Sequence, residues 1–154
     1  MIEIDSISAQ KLLTKLSLVD KTIETRFSEF LDSQARILET KVKQRLDSVG
    51  AIDTGQAKQG IHSQHSGLEA EVRSNTLHSS IIEYGRRPGT YPPSGPLERW
   101  AQRKGIDMPV FVLQRSIKNK GIKARPFFYV TWSDYKGQFN VKMVSLFKRI
   151  VAGK

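Results

Sequence analysis

Residues 17–50 read SLVDKTIETRFSEFLDSQARILETKVKQRLDSVG, the longest helical pattern in the chain. Ile23, Phe27, Phe30, Leu31, Ala35, Leu38, Val42 and Leu46 recur at helical spacing and fall on one face. Ser17-Leu18-Val19-Asp20 has the Ser-x-x-Asp form of a capping box, with Ser17 as N-cap, and Gly50 is the expected stop. A helix over residues 18–49 would be about 48 Å long at 1.5 Å per residue. That is more than a 154-residue globule needs to cover its own sheet, so one end is free to project onto a neighbour. A break near Ser33, giving two ordinary helices, is the alternative.

Working outward, residues 1–17 read as an N-terminal arm, with Leu12, Leu13 and Leu16 suiting a short helix from about Ser8. On the other side, Asp53-Thr54-Gly55 is a turn opening a short helical segment, followed by a weak strand over residues 60–65 and a turn at Ser66-Gly67. Leu68-Glu69-Ala70-Glu71-Val72-Arg73 alternates strictly, which predicts a strand burying Leu68, Ala70 and Val72 and completing a hairpin. Residues 75–84 fit a helical turn or a strand equally.

Ile81 to Trp100 then runs IIEYGRRPGTYPPSGPLERW and holds four of the six prolines. Proline fixes φ and removes a donor, so this is a stiff loop and no central strand. A stiff, cationic, Tyr-bearing loop suits a docking surface carrying Tyr84, Arg86, Arg87, Tyr91 and Trp100; an ordinary exposed crossover accounts for the same residues. Pro96 suits the first position of a helix over residues 96–104 that buries Leu97, Trp100 and Ala101. Asp107-Met108-Pro109 starts another, with Phe111, Val112, Leu113 and Ile117 apolar, ending near Gly121. Arg125–Trp132, with aromatic and β-branched residues dominating its second half, allows a strand or a helix start; an extended entry followed by a strand over Tyr129-Val130-Thr131-Trp132 is the preferred reading. Phe139, Met143, Val144, Phe147, Ile150 and Val151 give a final helical stripe.

The net charge is +10, and residues 86–125 hold ten Lys and Arg against two acids, a net +8. Such a field favours a polyanion or an acidic protein surface. Lys118, Lys120, Lys123 and Arg125, around Gly121, are the candidate DNA-facing cations. Without cysteine the chain has no disulfide, thiolate metal site or thiol nucleophile. No stretch approaches the roughly 20 apolar residues of a transmembrane helix, and the acidic start lacks a signal-peptide pattern, so a non-secreted, membrane-free protein is expected.

Catalytic chemistry finds few candidates. His62 and His65 are three apart on a strand and point to opposite faces, so they do not converge on a metal. Glu69 and Glu71 fall on the outward face of their strand. Glu83 is expected to pair with Arg86 or Arg87. No phosphate-binding loop, nucleophile elbow or zincin motif occurs. A helix-turn-helix over residues 96–119 is disfavoured because its Asp-Met-Pro connection does not suit the tight turn. The expectation is no enzyme, no metal and no cofactor.

The order of parts resembles the tail-completion, or head–tail joining, neck proteins of long-tailed bacteriophages. It rests on Thr54-Gly55 before the first sheet segment, Glu83-Tyr84-Gly85 closing the middle element, and Arg125-Pro126-Phe127 before the last helix. Pro92-Pro93-Ser94-Gly95-Pro96-Leu97-Glu98-Arg99-Trp100 adds to it, and the likeness spans roughly residues 20–150. Tyr129-Val130-Thr131-Trp132 is a departure, since the family's last helix usually starts directly after Arg-Pro-Phe. The resemblance implies an α+β fold in one domain, residues 1–154. A long N-terminal helix and a C-terminal helix would pack on a small antiparallel sheet, with a loop-plus-helix insertion over residues 85–121. It further implies a homo-oligomeric ring, most often a hexamer, between the head connector or adaptor and the tail terminator or tube. Packaged double-stranded DNA would pass through its lumen without specific contacts. The protein would be assembled in the host cytoplasm and reside in the virion neck. A small basic DNA-binding or regulatory protein is the alternative.

Overall fold

The structure, a computed structural model, describes residues 21–50 and 53–152. The N-terminal arm and the Ser17 capping box lie outside the described residues. The fold is α+β, running α1 (Lys21–Ser48), α2 (Gln56–Gln59), β1 (Ile61–Ser66), β2 (Glu69–Ser74), α3 (Leu77–Tyr84), α4 (Ser94–Arg103), α5 (Val110–Lys120) and α6 (Phe128–Val151).

Helix α1 is the backbone of the packing. Its 28 residues run unbroken through Ser33 and span about 42 Å. Within it the Ser33 hydroxyl donates to the Phe30 carbonyl (2.7 Å) and accepts from Gln34 Nε2 (2.9 Å), so it is satisfied without interrupting the helix. The helix packs against both strands and against α6. Val42 and Leu46 on its inner face meet Ile61 of β1 and Phe127 at the entry to α6 to form the fully buried core. Each such side chain contributes about 1.5–3 kcal/mol.

Polar contacts set the register of these layers. Glu39 accepts the Ser63 backbone N–H (2.8 Å) and hydroxyl (2.7 Å), tying β1 to the middle of α1, and also accepts the Lys43 ammonium (2.5 Å). The ammonium first, then the Ser63 donors, hold its carboxyl down at about 2 despite partial burial. On the α6 side, the buried Tyr135 hydroxyl donates to Gln34 Oε1 at 2.6 Å, and Phe139 lies between the rings of Phe30 (5.8 Å) and Trp132 (6.0 Å).

The hairpin pairs Ile61 with Ser74 through Ser66 with Glu69. Its alternation is as read, with Ala70 and Val72 half-buried and Glu69, Glu71 and Arg73 exposed. Leu68 departs from expectation: it sits in the turn before β2 begins and is exposed. The ambiguous stretch after the hairpin is the helix α3.

Four further expectations are corrected. Tyr129-Val130-Thr131-Trp132 is helical, in the first turn of a 24-residue helix starting at Phe128. Its aromatic and β-branched residues favour a strand locally, but burial of Thr131 and Tyr135 and a cap supplied from α3 decide the matter. The last helix therefore does start directly after Arg125-Pro126-Phe127. Helix α4 starts at Ser94, two residues before Pro96, with Pro93 as N-cap. Pro96 is tolerated there because first-turn N–H groups have no intrahelical acceptor. In α5, Phe111 is 65% exposed and Val112 is also exposed, while Val110, Leu113 and Ile117 turn inward. In α6 the apolar stripe divides: Phe139, Met143 and Ile150 are half-buried, whereas Val144, Phe147 and Val151 are exposed. Six positions cover more of the helix circumference than one neighbour can bury.

Candidate functional site

Helices α3 and α5 end in the same way, as Tyr84-Gly85-Arg86 and Lys120-Gly121-Ile122. Each glycine N–H closes the last turn, Gly85 onto the Ile81 carbonyl (2.9 Å) and Gly121 onto the Ile117 carbonyl (2.8 Å). Both then take φ 72 with ψ −168 and −162, a region open in practice only to glycine. The chain leaves each helix end extended, and Arg86 and Ile122 exchange both backbone hydrogen bonds, at 2.9 and 2.8 Å. The approach is close: a Cβ on Gly85 would strike the Ile122 carbonyl oxygen, and one on Gly121 the Arg86 carbonyl oxygen.

Further backbone bonds extend this clasp. Gly89 N–H donates to the Lys118 carbonyl, Gln114 Nε2 to the Pro92 carbonyl and Arg125 N–H to the Ile82 carbonyl, each at 2.7 Å. The Pro-rich loop is thereby laid along α5, and the Lys118 ammonium rests 4.3 Å from the centre of the Tyr91 ring. The two candidate sets read from sequence are thus neighbours. Arg86 and Arg87 from one segment join Lys118, Lys120 and Lys123 from the other. By the register of the pair, Arg87 falls opposite Gly121 and Lys123 opposite Gly85, so neither cation has a side chain across from it.

Two candidates stand apart. The Arg125 guanidinium donates to the carbonyls of Gly50 (3.2 Å) and Val49 (3.4 Å), at the C-terminal end of α1, where a cation satisfies orphan acceptors and the helix dipole. It serves the fold. Trp100 is half-buried on α4, and among the described residues it has no ring contact with the clasp.

Glu83 does not pair with Arg86 or Arg87. It is 6% exposed, and its carboxylate accepts the backbone N–H groups of Phe127 (2.8 Å), Phe128 (2.8 Å) and Tyr129 (2.9 Å). A carboxylate at a helix N-terminus satisfies orphan donors and meets the positive end of the dipole. The cap and its helix lie more than forty positions apart, beyond any local capping pattern. It also brings together two strongly exposed tyrosines, Tyr84 (79%) and Tyr129 (70%), of which sequence reasoning missed the second by placing it in a strand.

The electrostatics of the clasp are one-sided. Among the described residues the ion pairs join Arg36 to Asp32, Lys43 to Glu39, Arg45 to Asp134, Lys58 to Asp47, Arg73 to Glu71 and Arg103 to Asp53. None uses Arg86, Arg87, Lys118, Lys120 or Lys123. The last of those pairs anchors α4 to the turn after α1, and the Arg103 guanidinium holds the Asp53 carboxyl below its ordinary range.

Elsewhere, a groove of about 330 Å³ runs between α1 and α6, lined by Lys41, Arg45, Asp134 and Tyr135 among others. Its carboxylate is already paired with Arg45, at 3.4 Å. His62 bonds the Gly60 carbonyl (3.1 Å), while His65 bonds the Ser28 hydroxyl (3.0 Å) and the Gly67 carbonyl (2.9 Å), so the two are engaged separately. Among the described residues no group of three or more His, Asp or Glu is placed to hold a metal ion, and no helix is long and apolar enough to cross a membrane.

Compared with models of known families, with curated proteins and with solved structures, the chain finds no match.

Proposed function

We propose that this protein is a structural component of a bacteriophage neck, completing the tail or joining it to the head as a homo-oligomeric ring through which DNA passes. One observation carries the reading. The Glu-aromatic-Gly and Arg-Pro-Phe motifs of the resemblance are bonded to each other, because the Glu83 carboxylate caps the helix that follows Arg125-Pro126-Phe127. Two short motifs that look unrelated in sequence are halves of one device, which makes their joint occurrence far less a matter of chance. The start of α6 directly after the second motif adds to this support.

In this role Tyr84, Tyr129 and Phe111 are the aromatic anchors for subunit or connector contacts, since exposed rings on a rigid frame dominate interface energetics. The ring sits between the head connector and the tail tube, and its shape does the work, without bond chemistry. Negative-stain imaging and mass photometry of the purified full chain, alone and with tail or connector proteins, test the reading. A ring of defined size is expected. A protein that stays monomeric with every neck partner and is absent from purified virions would overturn it.

A further inference from the structure

Two neighbouring segments carry the five clasp cations, Arg86, Arg87, Lys118, Lys120 and Lys123. Arg45, Lys58 and Arg103 are spent on pairs that tie elements together, and Arg125 on the end of α1. Among the described residues Arg86, Arg87, Lys118, Lys120 and Lys123 enter no ion pair, and the Lys118 ammonium rests on the Tyr91 ring. Glu83, the acid three residues before Arg86, is buried and turned onto the N-terminus of α6. Clustering like charges raises the free energy of the isolated protein, and a dense line of anions offsets that cost. The backbone beneath them is set by the Arg86–Ile122 pair and the two glycines, so the cations are held on a rigid base.

We propose that the clasp is a phosphate-contacting surface for duplex DNA, formed by Arg86, Arg87, Lys118, Lys120 and Lys123 together, with Arg125 excluded. The inference rests on the neck reading for the identity of the polyanion, and on the geometry alone for the surface. It moves Arg86 and Arg87 from a protein contact to the DNA. Binding is electrostatic and indifferent to base sequence, because phosphate contacts carry no sequence information.

The test is a fluorescence-anisotropy titration of the full chain with two duplexes of unrelated sequence. Five phosphate contacts predict a slope of log K against log salt of about −4.5 between roughly 50 and 200 mM salt. Arg86→Ala with Arg87→Ala should make that slope shallower by about 2 and weaken both duplexes equally. Arg125→Ala should leave the slope unchanged. Alanine keeps the backbone pair, and a thermal melt of the double variant confirms that it folds. Wild-type affinity and slope in the folded double variant would overturn the proposal. So would a ring that falls apart on Arg86→Glu with Arg87→Glu while DNA affinity per protomer is unchanged, which would make the clasp a subunit contact. Mass photometry of the wild type separates the two readings: monomers that bind DNA through the clasp leave this proposal standing without the ring. Rings that bind no DNA sink this proposal alone.

Discussion

Around α1 the chain is held by side chains. Val42, Leu46, Ile61 and Phe127 are buried against one another, and Glu39 and Gln34 reach across to the hairpin and to α6. Between α3 and α5 it is held by main chain. Arg86 and Ile122 exchange two hydrogen bonds, Gly89 and Arg125 add one each, and α5 contains no fully buried residue. The first region draws on apolar area, at about 25 cal/mol per Å². The second draws on backbone bonds worth about 0.5–1.5 kcal/mol each, and on two glycine conformations without which those bonds could not form. A region stabilised by side chains must spend its surface residues on packing. One stabilised by its backbone leaves side chains free, and among the described residues the five clasp cations enter no ion pair.

The contrast can be broken at four points. Gly121→Ala should do the most damage, about 3 kcal/mol or more, because a Cβ meets the Arg86 carbonyl and the required φ is denied to alanine. Thermal unfolding gives the magnitude, and hydrogen exchange should show the Arg86 and Ile122 amides losing protection before those of α1. Uniform loss of protection would mean that the two regions are one cooperative unit. Glu83→Ala comes next, at about 2–4 kcal/mol, since it leaves three amides of a helix start without their acceptor. Urea denaturation measures it, and Glu83→Gln should recover part of the loss.

Acid probes the α1 side. The Glu39 carboxyl is held at about 2 in the fold, below its ordinary value near 4.5. Its contribution is therefore complete above about pH 5 and is lost as pH falls toward 2. The loss should be about 1–2 kcal/mol, reduced by the partial exposure of Lys43 and Glu39. Glu39→Gln should flatten that part of the stability profile. A profile unchanged by the substitution would remove Glu39 as the tie to β1. Arg125→Ala is the mildest, about 0.5–1 kcal/mol, read as a small shift in the melting temperature. It tests whether that cation belongs to the fold and not to the charged surface.

Legibility in the sequence follows the same division. Helix α1, the hairpin and α6's inner stripe were readable because burial repeats with the period of the element, as Val42, Leu46 and Val72 show. Gly50 and Gly121 were readable as stops for a related reason, each having φ above +60. The strand expected at Tyr129–Trp132 failed because its composition suits a pleated surface, while its actual state is set by a carboxylate from α3. Leu68, Phe111 and Val112 failed because pattern alone cannot say where an element begins or which face has a neighbour. The clasp itself was half legible. Charge density marked both segments, but nothing local says that Arg86 lies beside Ile122, since that juxtaposition is made by two helices of unequal length ending at one place.

That juxtaposition has a consequence for how the chain could change. Arg86 and Ile122 are antiparallel neighbours, so the polypeptide leaves the body and returns to it through a single doorway. Residues 87–121 are tied to the body at that doorway and by the Arg103–Asp53 pair, and a two-residue hairpin turn could join the same two points. Lengthening such a detour costs little, because closure entropy grows only with the logarithm of its length. The Pro-rich loop, α4 and α5 are in this sense a cassette. Exchanging them would rewrite much of the charge the molecule shows to its surroundings and would remove the Arg103–Asp53 tie to the turn after α1.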